Sequence, residues 1–184
     1  FAPKGEPIRK FLGTVNPNDS TVVEQLKDSF CQQYASSPIE NMLVITKNGE
    51  VHFMTDNNPR GVDCSYLGDK LKGSYNIHTH PPDTTQYSFS TDADIPSFFA
   101  DGTAVMEAVD HKYRYRFERT EAIANITFEQ WDRVRCDVAD RVLLYMAERG
   151  MGFEDVEENK LHVIIEETCK QLGVTGYRRW EVHK

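Results

Sequence analysis

The chain has 184 residues, with 21 Lys and Arg against 29 Asp and Glu, a formal net charge of −8 and 39% hydrophobic content. That much apolar surface excludes intrinsic disorder, the length suits one domain, and the acidic balance argues against tight phosphate-backbone binding, which depends on clustered Lys and Arg. Cys31, Cys64, Cys136 and Cys169 are widely spaced reduced thiols without a CxxC pair, and no ~20-residue apolar run or secretory segment is present, so a cytoplasmic protein without membrane association is expected.

Asp19 or Ser20 is placed to cap a helix over 19–34, where Val22, Val23, Leu26, Phe30 and Tyr34 recur at helical spacing. Asn41–Thr46 and Glu50–Met54 are strand-like runs joined through Lys47-Asn48-Gly49, which predicts a hairpin. A polar stretch over 56–61 and a weakly helical 64–72 follow, after which Gly73–Ile77 runs extended into His78. Pro81 and Pro82 end that strand and forbid a helix directly after it, so 81–89 is expected as a loop. Ile95, Phe98 and Phe99 stand at i, i+3 and i+4, which predicts a helix from about Thr91.

Ala104–Val109 and Lys112–Glu118 alternate like paired strands turning at Asp110-His111. The run Tyr113-Arg114-Tyr115-Arg116-Phe117 reads as a strand with one buried aromatic face, not as a nucleic-acid platform. From 126 onward the pattern is helical, with one stripe through Phe128, Trp131, Val134, Val138, Val142 and Tyr145 and another through Leu161, Ile164, Ile165 and Leu172, closed by Gly173. This order predicts a single α/β domain over 1–184. A mixed or antiparallel sheet flanked by helices forms its core over 19–125, and 126–184 is a C-terminal helical extension.

The chemistry concentrates in His78-Thr79-His80. Residues i and i+2 of a strand share a face, so both imidazoles can reach one metal ion. Imidazole is a favoured zinc ligand, and a catalytic zinc takes three protein ligands and leaves a fourth position open. The third ligand is expected from Ser90-Thr91-Asp92-Ala93-Asp94, where a hydroxyl can cap a helix and a carboxylate in its first turn can return beside the histidines. His52, His111, His162 and His183 fall in no ligand pattern and read as surface or packed side chains.

The run His78-Thr79-His80-Pro81, a loop, Phe89-Ser90 and then Asp94-Ile95 resembles the signature of the JAB1/MPN/Mov34 (JAMM) metalloproteases, HxHP followed by SxxD with a separate upstream glutamate. The likeness covers residues 38 to about 120 and is nearest to bacterial and phage members. It implies an MPN-like, cytidine-deaminase-like sheet and a Zn2+ ion held by His78, His80 and an aspartate. In the family ten residues separate the second histidine from that aspartate, whereas here Asp92 leaves eleven and Asp94 thirteen. Asp94 is preferred, because Thr91 to Asp94 reproduces SxxD with Thr for Ser, and Asp92 is the rival. The hydroxyl that supports the oxyanion is expected from either Ser90 or Thr91. Glu40, just before the first central strand, is the expected general acid/base, with Glu50 as alternative.

The implied activity is hydrolysis of an amide bond by a zinc peptidase or isopeptidase acting on a protein or peptide substrate, ubiquitin-like among the options. The competing expectations are a non-catalytic MPN scaffold, which typically loses the HxH pair, and a RadC-like DNA-associated protein, which the acidic charge disfavours.

Overall fold

A computed structural model describes residues 5–182, so His183 lies outside the described residues. Seven strands form one mixed sheet in the order β1-β3-β2-β4-β5-β6-β7: β1 Ile8–Thr14, β2 Met42–Ile45, β3 Glu50–Thr55, β4 Tyr75–Thr79, β5 Val105–Val109, β6 Tyr113–Glu118 and β7 Tyr177–Glu181. Every neighbouring pair is antiparallel except β4 and β5, which run parallel. The helices are α1 Ser20–Tyr34, α2 Asp94–Asp101, α3 Glu121–Ala124, α4 Phe128–Asp140, α5 Val142–Glu148 and α6 Val156–Leu172. No helix among the described residues is long and apolar enough to cross a membrane, and all four cysteines are unpaired.

Local chemistry explains most of these elements. Asp19 caps α1 by accepting the N–H groups of Thr21 and Val22 at 3.1 and 3.3 Å. The β2–β3 hairpin closes where Gly49 donates to the Thr46 carbonyl at 2.9 Å. Gly49 has φ +89°, and a Cβ there would meet the Val15 carbonyl oxygen at 1.9 Å, so only glycine fits. Thr127 and Gln130 form a reciprocal capping box at the start of α4.

The sheet separates two cores. Leu43, Ile45, Val51, Ile77 and Val109 point to the face covered by Val23 and Phe30 of α1. Met106, Tyr115 and Phe117 point to the other, where Ile95 and Phe98 of α2, Trp131 of α4 and Ile165 and Cys169 of α6 bury them. Both sets follow from strand periodicity, since side chains alternate between faces.

Three expectations need correction. The chain beyond 126 is not helical to its end: α6 stops at the left-handed Gly173, and β7 adds an edge strand beside β6. Gly176 makes that return possible, because a Cβ at its φ of +101° would lie 2.7 Å from the Glu118 carbonyl oxygen. The stripe from Phe128 to Tyr145 spans two helices that break at Arg141. The sheet also begins earlier than residue 19, because β1 pairs with β3 through a bulge between Phe11 and Gly13.

Candidate metal centre

β4 delivers two imidazoles to one face at its carboxyl end. The N–H of His80 donates to the Val109 carbonyl at 2.9 Å, which carries the parallel pairing one residue past the strand. Pro81 and Pro82 then turn the chain outward, and the amides of Thr84 and Thr85 close onto the Pro81 carbonyl at 3.1 and 2.9 Å. Phe89, fully buried with its ring 5.1 Å edge-on from Tyr115, anchors the loop's return. Ser90 and Asp94 then lock the start of α2 reciprocally. The Asp94 amide donates to Ser90 Oγ at 2.9 Å, and the Ser90 amide donates to Asp94 Oδ2 at 2.9 Å.

These constraints bring two imidazole nitrogens and both oxygens of one carboxylate together. His78 Nε2 and His80 Nε2 are 3.0 Å apart, and Asp94 reaches them with Oδ1 at 3.2 Å and Oδ2 at 3.1 Å respectively. Among the described residues, His78, His80 and Asp94 form a group whose ligand atoms converge as a metal ion requires. Ligands about 2.0–2.1 Å from a tetrahedral zinc stand roughly 3.3 Å apart, so both the spacing and the donor types fit zinc. All three side chains are nearly buried.

The charges respond to this crowding. Burial works to lower the pKa of His78, but the Asp94 carboxylate and, more weakly, Glu40 raise it above the usual histidine value. Burial works to raise Asp94, yet His78 above all holds it well below the ordinary carboxylate range. Glu40 lines the same cavity of about 400 Å³. Its pKa is raised by burial and by Asp94, against the opposing pull of the two histidines.

The remaining expected residues are placed as follows. Asp92 lines the cavity but is exposed and outside the converging group. Ser90 lines the cavity and supplies the hydroxyl at the start of α2, whereas Thr91 neither lines it nor caps the helix. Glu50 lies away from the cavity, bonded to Lys70 and His52 at 3.0 Å, and the Lys70 hydrogen bond above all lowers its pKa.

Two neighbours were not anticipated. His80 Nδ1 lies 2.6 Å from the Tyr115 hydroxyl, which lies 3.1 Å from Asp110 Oδ2. Asp110 reads in sequence as a turn residue and Tyr115 as an aromatic of the β6 face. The missing signal was the β4–β5 register: Thr79 pairs with Val109, so His80 and Asp110 come next, at the carboxyl ends of adjacent parallel strands. Such strand ends are where open α/β sheets place their ligands.

Fold and cluster together define an α/β protein in which two imidazoles and a carboxylate that could hold a metal ion line a cavity. No family model, curated protein or solved structure matches the chain, so its functional reading rests on the site.

Proposed function

We propose that the protein is a zinc-dependent hydrolase of the JAMM kind, on an MPN-like sheet, that cleaves an amide bond in a protein or peptide substrate. The observation that carries this reading is the approach of His78, His80 and Asp94 donor atoms to within 3.2 Å of one another, in a cavity that also contains Glu40. A bound zinc supplies a Lewis acid that lowers the pKa of water toward ~7 and polarises a carbonyl.

The chain's own residues supply the rest. Glu40 precedes β2, whose Met42 pairs with His78, so strand alternation sets Glu40 and Met42 on the face that carries the histidines. Burial raises its pKa toward the range in which a carboxyl both accepts and returns a proton, as a general base and then acid must. Glu40 therefore takes the proton of the attacking water and gives it to the leaving amine. The Ser90 hydroxyl already accepts the Asp94 amide, and its own proton remains to donate to developing oxyanion charge.

The test is elemental analysis together with hydrolysis of peptide and lysine-isopeptide substrates. One zinc per chain and a chelator-sensitive activity are expected. Glu40→Gln should retain the zinc and lose about 10²–10⁴-fold in kcat. A protein that binds no zinc when supplied with it would overturn the proposal, and undiminished activity in Glu40→Gln would remove Glu40 from the mechanism.

A further inference from the structure

We infer that Tyr115 and Asp110 form a positioning dyad that fixes the tautomer of His80 and thereby sets the metal affinity of the site; this rests on the zinc reading above. Asp110 is completely buried and ringed by donors. Its Oδ1 accepts the amides of Lys112 and Tyr113, both at 2.7 Å. Its Oδ2 accepts the Thr85 hydroxyl at 2.9 Å and faces the Tyr115 hydroxyl at 3.1 Å.

A carboxylate only accepts, so the Tyr115 proton points to Asp110. The Tyr115 oxygen is then left to accept, and the partner aimed at it, 2.6 Å away, is His80 Nδ1. Nδ1 must therefore carry the imidazole proton. Nε2 is left to accept: it takes the proton of His78 Nε2, 3.0 Å away, and its 3.1 Å approach to Asp94 Oδ2 is a contact between two acceptors that a metal ion would bridge. The neutral ring is thus held with its lone pair toward the metal position before any ion arrives. Tyr115 is itself fully buried and stacked edge-on against Phe89, so the hydroxyl has little freedom to turn elsewhere. Thr85 extends the device, since its bond to Asp110 ties the loop between His80 and Ser90 to the same carboxylate.

Ligand histidines commonly donate their second nitrogen to such a partner, and loss of the partner weakens metal binding by about 10–100-fold. The dyad makes a sharper prediction than simple loss. In Asp110→Asn the amide can donate to the Tyr115 oxygen, which turns the Tyr115 proton toward His80 Nδ1 and moves the imidazole proton onto Nε2, against the metal.

The experiment uses the full chain. Zinc affinity is measured by chelator competition for wild type, Tyr115→Phe and Asp110→Asn, and the histidine tautomers of the metal-free proteins are read from long-range ¹⁵N–¹H NMR correlations. Tyr115→Phe keeps the ring and should bind zinc about 10–100-fold more weakly, with mixed His80 tautomers. Asp110→Asn should lose at least as much and show the Nε2–H form. A merely structural role would lower the urea midpoint and leave both readouts unchanged.

Wild-type His80 protonated at Nε2, or zinc affinity within threefold of wild type in both variants, would overturn the inference. Should the wild type bind no zinc, the zinc reading fails, while the tautomer spectra still decide whether the dyad orients His80.

Discussion

On the α1 face of the sheet, buried charge is neutralised by permanent cations; on the opposite face it is not. Lys27 of α1, 2% exposed, reaches both Glu24 and the wholly buried Glu107 of β5. Arg114 of β6 binds Glu107 at 2.7 Å and Asp28 at 2.8 Å and stacks over Trp180. Each acid in that cluster is ion-paired with a lysine or an arginine. Across the sheet, Asp94 is paired with two imidazoles and, among the described residues, with no lysine or arginine. Desolvating an ion costs several kcal/mol unless it is compensated. The α1 face is therefore a finished structural network, and the site face retains a carboxylate that calls for a cation.

The comparison breaks most sharply if the site-face charges turn out to be structural. Zinc at a thousandfold excess over its Kd adds about 4 kcal/mol to the stability of a protein that binds it only when folded. Wild type should show that gain in thermal denaturation, and His78→Ala and Asp94→Ala should show none while remaining folded by circular dichroism. Equal zinc stabilisation in the variants would place the ion elsewhere. Next in size is Lys27→Met, which leaves Glu107 with one cation in place of two. About 3 kcal/mol of stability to urea should be lost, with zinc stoichiometry untouched. A loss below about 0.5 kcal/mol, the scale of an ordinary surface change, would mean that this network does not hold the fold.

What was legible in the sequence was local. α1, the hairpin and the loop after Pro81 each announce themselves within a few residues, through periodicity, an Asn-Gly turn or a pair of prolines. The two histidines share a face by strand geometry alone, whereas Asp94 is preferred to Asp92 through the likeness to SxxD, and its helix begins at Asp94 itself and not at Thr91. The parts that escaped depend on partners distant in sequence. β1 is a largely exposed edge strand and β7 a half-buried one, so neither shows the apolar alternation of a buried strand. Arg141 breaks a helix with no proline or glycine to mark it. Lys27 sits in a helix read for its apolar stripe, and its burial is explained only by Glu107, 80 residues away. Asp110 next to His80 is likewise a matter of β4–β5 register.

A partly buried imidazole outside the site sharpens the contrast at the smallest scale. His162 of α6 bonds the Tyr177 hydroxyl through Nδ1 at 2.7 Å, and its charged neighbours are Arg179, Arg149 and Glu166. The Glu166 carboxylate, 3.6 Å from Nε2, is already engaged by Arg149. Burial, followed by the two guanidinium groups, lowers the His162 pKa to about 3. An unfolded histidine titrates near 6.5, so folding excludes this proton. Its contribution to stability is complete above about pH 6.5 and is lost as the pH falls toward 3.

Asp94 has the same sign in a different window, because its depressed pKa costs stability only below about pH 4, where the unfolded carboxyl begins to protonate. The raised His78 runs the other way, and its contribution is lost as the pH climbs above about 6.5. Between about pH 4.5 and 6.5, His162 should therefore add to the metal-free protein a rising slope of at most about 1.4 kcal/mol per pH unit for one proton, against which Glu40, its pKa raised by burial, contributes with the opposite sign. His162→Gln retains a hydrogen-bond partner for Tyr177 and should flatten that slope. An unchanged slope would show that His162 is protonated in the folded protein, which would remove the distinction between an imidazole set beside guanidinium groups and the pair set beside Asp94.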